Sequence, residues 1–394
     1  MKIGNPHYRG DQVPLPVEVL ELICHFIKET HNATSQSTLA ACTLVSKSWC
    51  SVYNRHLYEK PIIIPSAFEN FTRTICTGVT AKAKRVRLEE FVKHLDLRGL
   101  AYESSKSLTA RLIGRTSQSL EFFAAPAITF GISSLAPLSK ASRLRILDLS
   151  QDGYRLSLNR ILNSINHLEY LTDLKLPPDA AGDGSQCKFP QGCWPRHLKH
   201  LQLPLKMCKH IGWWDELFES LPATLQTLLI PECYSYIPFW AFKDLRGFAS
   251  SIKHLEIGKP STDIEVLALR HVISRFPAIT SLTLPVTISL EDEDNIENLP
   301  MSPSNGGLVE VLNLARPLVP LGFGFNGSPI VKTDLLRTMV SYFPSLQRVN
   351  VPNESIKPAD EEEMARLSEV LEARAPIDKI HSAGIFTYAE DPSR

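Results

Sequence analysis

The sequence predicts an α/β protein: a curved solenoid with short parallel strands on its concave side and helices on its convex side, preceded by a small helical unit. The first observation is a repeated phrase, seen in Leu144-Arg-Ile-Leu147-Asp-Leu149, Leu171-Thr-Asp-Leu174-Lys-Leu176 and Leu198-Lys-His-Leu201-Gln-Leu203. It continues in Leu225-Gln-Thr-Leu228-Leu-Ile230, Ile252-Lys-His-Leu255-Glu-Ile257 and Ile279-Thr-Ser-Leu282-Thr-Leu284. The first positions, 144, 171, 198, 225, 252 and 279, lie 27 residues apart five times running. A fixed period in the twenties marks a stack of structural repeats. The second observation is what each unit contains. Its alternating apolar tail is too short for a helix and reads as a strand. The remainder suits a returning helix: Ile161, Leu162, Ile165 and Leu168 share one helical face, as do Trp214, Leu217, Phe218 and Leu221, and Val266, Leu269, Ile273 and Phe276. Strands stack about 4.8 Å apart while helices need about 10 Å, so the row bends with its sheet inside. No unit buries its own leucines, so stability comes from neighbours.

Composition narrows the function classes. Lys plus Arg and Asp plus Glu number 42 each, so no global field draws the chain to nucleic acid or to an anionic membrane. The hydrophobic fraction, 43%, is that of a soluble protein, and no apolar run reaches the roughly 20 residues of a membrane span. The polar start lacks the apolar stretch of a signal peptide. Eight cysteines without framework spacing suit a reducing compartment, so a cytoplasmic or nuclear location is expected.

In chain order, residues 1–13 read as a disordered lead. Leu15-Pro16-Val-Glu18-Val-Leu20 opens a helix, with Pro16 where a first turn tolerates it. His31 to Ser37 reads as a loop, Leu39 to Trp49 as a second helix, and a third short piece reaches Leu57-Tyr58. Pro61-Ile-Ile-Ile64 reads as a strand. The phrases Leu15-Pro16-x-Glu18-x-Leu20-x-x-Ile23 and Leu39-x-x-Cys42-x-Leu44-Val45-Ser46-Lys47-x-Trp49 resemble an F-box over about 45 residues. The inter-helix loop is somewhat long, and Ser46 stands where many members carry Cys. With a leucine-rich-repeat array behind it, the chain is similar to F-box/leucine-rich-repeat proteins of the fungal type. The expected division is F-box 14–60 and leucine-rich-repeat solenoid 61–390, with loop insertions near 179–197, 286–307 and 316–331.

The resemblance implies a role without chemistry. F-box segments dock on the Skp-family adaptor of an SCF-type, cullin-RING ubiquitin ligase, and the repeats hold a protein substrate. A segment this short cannot bury both faces of its helices, so some apolar side chains require a partner's cover. The expected adaptor contacts are Leu15, Pro16, Leu20, Ile23, Leu39, Val45 and Trp49. The alternative is a protein-interaction scaffold outside ubiquitin transfer, with the F-box-like segment as an N-terminal cap.

Strands continue on both sides of the regular block. Val92-Lys-His-Leu95-Asp-Leu97 and Leu120-Glu-Phe-Phe123-Ala-Ala125 precede it; Val309-Glu-Val-Leu312-Asn-Leu314 and Leu346-Gln-Arg-Val349-Asn-Val351 follow it. Asp360 to Arg374 makes a last helix and Ile377 to Phe386 a capping strand. Pro177, Pro204, Pro231, Pro285 and Pro352 are read as clipping strands short, since proline cannot donate to a sheet. Side chains flanking the inward leucines point to the concave face, so His94, Asp96, Asp148, Lys175, His200, Gln202, His254, Glu256 and Thr283 are the substrate-binding candidates. No catalytic site, cofactor or metal is expected. Gly322 to Gly327 matches G-x-G-x-x-G but sits far from a strand, and Cys187, Cys193 and His197 lack the spacing of a zinc cluster.

Overall fold

The computed structural model describes residues 15–28, 33–76, 86–100, 105–151, 156–180, 189, 192–204, 211–233, 251–260, 276–285, 308–315, 331, 333–353 and 360–389. The lead, most of the proposed loop insertions, Gly322 to Gly327, Cys187 and the helix expected at Val266 to Ile273 lie outside these residues.

Three helices form the head: α1 (Val17–Lys28), α2 (Ala33–Cys42) and α3 (Lys47–Glu59). Two expectations give way here. Helix α2 begins at Ala33, inside the stretch read as a loop, and the piece read as one helix to Trp49 is broken at 43–45. The cause of the break is Ser46, whose extended backbone and Oγ, accepting from Trp49 N at 3.3 Å, start α3 afresh. Leu20 and Cys24 from α1, Leu39 from α2, and Val52 and Tyr53 from α3 make a buried cluster of the head's own, with Ile23, Ile27, Cys42, Trp49 and Leu57 packed around it. Trp49 stacks on Tyr53 at 5.1 Å between ring centroids.

The segment read as a strand at Ile62 pairs with no other strand among the described residues. Its backbone is held instead by one side chain, since Ile62 N donates to Gln36 Oε1 at 2.5 Å and Gln36 Nε2 donates to Ile62 O at 3.3 Å. Helix α4 (Pro65–Cys76) then buries Phe68, Ile75 and Cys76 in the solenoid core.

The solenoid's eleven described strands form one parallel sheet in strict sequence order. They are β1 (His94–Asp96), β2 (Phe122–Ala124), β3 (Ile146–Asp148), β4 (Asp173–Lys175), β5 (His200–Gln202) and β6 (Thr227–Cys233). Then come β7 (His254–Pro260), β8 (Ser281–Pro285), β9 (Val311–Ala315), β10 (Arg348–Pro352) and β11 (Gly384–Tyr388). Each central leucine meets the next: Leu147, Leu174, Leu201, Leu228, Leu255 and Leu282 lie in one register row. All are buried in a continuous core. Behind the sheet run α5 (Lys106–Thr116), α6 (Ile132–Leu138), α7 (Leu158–Ile165), α8 (Ile211–Ser220), α9 (Thr333–Tyr342) and α10 (Glu361–Arg374). Leu158, Ile161, Leu162 and Ile165 bury one face of α7, as the 3.6-residue period requires. Trp194 fills the core, its Nε1 donating to Ser220 Oγ at 2.9 Å.

Two boundaries differ from the sequence reading. Strand β6 runs past Pro231 to Cys233, the register stepping from Ile230↔Ile257 to Glu232↔Lys259. Proline thus does not end that strand; neighbouring residues carry the pairing around its missing N–H. Ile377–Ser382 is a 3-10 helix, so the capping strand is confined to β11. Gly384 opens β11 at φ +115, a conformation open to glycine, and an added Cβ there would lie 2.5 Å from Ser368 Oγ.

Head and solenoid share one hydrogen-bond ladder. Lys93 N donates to Glu59 O at 3.0 Å, and Glu121 N donates to Lys93 O at 2.8 Å. The same row runs on through Arg145, Thr172, Lys199, Gln226, Lys253, Thr280, Glu310 and Gln347 to Gly384. The last carbonyl of α3 therefore closes the first edge of the sheet.

Candidate docking surfaces

Helix α1 carries two apolar stripes. Leu20 and Cys24 are fully buried, and Ile23 and Ile27 flank them. Leu15, Val19, Leu22 and Phe26 recur at spacings of four, three and four and face outward, with Leu22 56% and Phe26 61% exposed. The turn between α2 and α3 adds Leu44 and Val45, 86% and 62% exposed. Nothing among the described residues covers these side chains. Such a concentration of exposed apolar groups on one small helical unit makes it a candidate interaction surface.

The expected adaptor contacts divide accordingly. Leu15, Pro16 and Val45 are exposed, and Ile23 and Trp49 are half-buried. Leu20 and Leu39 are corrected: they lie inside the head core, because three short helices need them to hold together. Val19, Leu22, Phe26 and Leu44 were absent from the sequence-based set. Their signal was a second helical stripe at i, i+4, i+7 and i+11, and the capping pattern of Ser46 that leaves Leu44 in a turn.

A polar joint ties the head together and to the first strand. Glu59 Oε2 accepts from Lys28 Nζ of α1 at 2.8 Å, and Oε1 pairs with Lys93 Nζ at 3.1 Å. Burial works against ionisation of Glu59, but hydrogen bonds from Lys28 and Lys93 together outweigh it and hold its carboxyl below the usual range. His56 Nε2 lies 2.5 Å from Glu21 Oε2, and its Nδ1 lies 3.4 Å from Lys28 Nζ; a proton on Nε2 satisfies both contacts.

The open face of the sheet holds the other candidates, and several are already engaged. His94 stacks on Phe122 with ring centroids 3.8 Å apart. Asp96 is clamped by Arg98, Nη2 to Oδ2 at 2.7 Å. Asp148 is corrected as a free recognition group: it is 3% exposed, beneath Arg98 at 3.7 Å and Lys175 at 3.6 Å. It also accepts from Ser150 N and Oγ, and these bonds and the two cations hold it down. Thr283 Oγ1 receives a 3.2 Å bond from Asn313 Nδ2, and Asn350 Nδ2 donates to Asn313 Oδ1 at 2.6 Å, so β8 to β10 are knitted across their open face. Arg348 sits 4.3 Å above the Phe386 ring centre, a contact that the sequence did not disclose. His200 and His254 are exposed, while Gln202 and Glu256 are half-buried. Though outward-facing, the His254 ring is partly desolvated, and with His200 and Lys253 beside it the imidazole lies below its ordinary pKa.

Against known proteins, the chain is 24% identical over 292 residues to "F-box protein YDR306C" of Saccharomyces cerevisiae, covering 71% of this chain and 58% of that one. It is 24% identical over 295 residues to "Protein pof5" of Schizosaccharomyces pombe, covering 74% of this chain and 78% of that one. The chain thus spans little more than half the length of the first relative. Among solved structures, "Crystal structure of Rad7 and Elc1 complex in yeast" overlaps 86% of this chain and 94% of that one at a TM-score of 0.41 and 12% identity. No family model matches. Of the two sequence relatives, the Saccharomyces cerevisiae protein carries the F-box in its name.

Proposed function

We propose that this chain is a substrate-recognition subunit of an SCF-type ubiquitin ligase. The head docks on a Skp-family adaptor, and through it a cullin, while the solenoid carries a protein substrate. The observation that carries this reading is the outer stripe of α1. A unit with a complete core of its own still presents Leu15, Val19, Leu22 and Phe26 outward, and the neighbouring turn presents Leu44 and Val45. An amphipathic helix laid in a partner's groove is the usual way to cover such a stripe. The name of the first sequence relative, an F-box protein, supports it. No chemistry is assigned to the chain; its work is to raise the local concentration of a target near the transferase.

Co-purification with a Skp-family adaptor tests this reading. The wild-type chain should capture the adaptor, and Leu22→Asp combined with Val45→Asp should abolish capture while leaving the melting curve unchanged. Failure of the wild-type chain to bind would remove the proposal. The scaffold alternative, with the head as a mere cap, has against it that the outer stripe faces away from the solenoid core.

A further inference from the structure

One row of the sheet remains without a task. Arg145, Lys199 and Lys253 stand at the leading edge of β3, β5 and β7, just before each strand. Backbone bonds tie them into one line with Thr172 and Gln226 between: Thr172 N to Arg145 O at 2.9 Å, Lys199 N to Thr172 O, Gln226 N to Lys199 O and Lys253 N to Gln226 O at 2.8 Å. All three basic side chains are exposed, and none forms an ion pair or side-chain hydrogen bond among the described residues. The nearby carboxylate of Asp173 accepts from Thr172 Oγ1 at 2.5 Å and pairs with none of the three cations. Glu121 precedes Arg145 in the row, and Thr280 and Glu310 follow Lys253, so the positive stretch has two acidic ends.

The spacing selects a ligand geometry. Alternate strands of a sheet lie about 9.6 Å apart. A polyproline II helix has three residues per turn and rises about 3.1 Å per residue, so every third side chain shares a face at about 9.3 Å. An extended β-strand instead repeats a face at about 6.7 Å. Single-stranded nucleic acid fits less well, because the rungs between the charges, Thr172 and Gln226, offer no aromatic platform.

We propose that this edge binds an acidic peptide in polyproline II conformation, with carboxylates at every third residue meeting Arg145, Lys199 and Lys253. It stands independently of adaptor docking: a chain that captures the adaptor but not the peptide loses this inference alone. The test is fluorescence anisotropy on the full chain. The first probe is a proline-rich peptide with glutamate at every third residue; the second has the same composition with glutamate at every second residue. The first should bind about fivefold tighter or more, and should weaken as salt is raised. Each of Arg145→Ala, Lys199→Ala and Lys253→Ala should weaken it about two- to fivefold, the range of an exposed ion pair. Reversing all three to glutamate should abolish binding, with circular dichroism reporting an unchanged fold; if that variant misfolds, the single variants decide. Equal binding of the two peptides, or insensitivity to the alanine variants, overturns the proposal. So does tighter binding of oligothymidylate that displaces the peptide.

Discussion

Leu20 and Leu22 are two positions apart and have opposite fates. The first is sealed in the head core and the second faces outward. Leu20→Ala should therefore cost about 2–5 kcal/mol of head stability in urea denaturation, and adaptor capture should fall with it. Sequence alone did not separate them, because both fit an apolar helix and the choice of inward stripe depends on what α2 and α3 bring to it. Tyr53 makes a further expectation. Its ring is fully buried and its hydroxyl finds no hydrogen-bond partner among the described residues. Tyr53→Phe should be neutral or stabilising by thermal melting, since it removes an unsatisfied polar group. Glu59 sets a pH dependence. Its folded pKa is depressed, so its contribution is present above the unfolded value of about 4.3 and is lost as pH falls through the depressed one. Melting temperatures measured downward through that window should drop for the wild type, and Glu59→Gln should flatten the slope.

The strands were legible at the scale of elements because the same apolar phrase returns at a constant interval. The head was less so. Ser46 splits what reads as one helix, and a polar run from Ala33 to Thr38 becomes helical because Leu39 and Cys42 at its end have a core to join. Propensity yields to tertiary contact there. Ser46→Ala should remove the cap of α3 and lower head stability by about 1 kcal/mol. At the far end, β11 depends on the positive φ of Gly384 and on the close approach of Ser368. Gly384→Ala should loosen β11 from β10, read as faster amide exchange across 384–388, with little change at β3 to β5. Periodicity could not reveal this closure, since the last unit departs from the repeat.

Across the whole molecule, each described strand pairs only with its neighbours in sequence. What the sequence left hidden at this scale is the joint, since Gln36 reaches Ile62, and Glu59 reaches Lys93, only through folding. The two ends of the array are unlike. The first rung rests on the carbonyl of Glu59, whereas no described strand follows β11. Shortening the chain after β10 should thus leave a folded remainder by calorimetry, while deleting the head should fray β1 and β2. That asymmetry matches the direction in which a ribosome releases the polypeptide. The head emerges before the array and supplies its template, so each later rung can dock on one already in place.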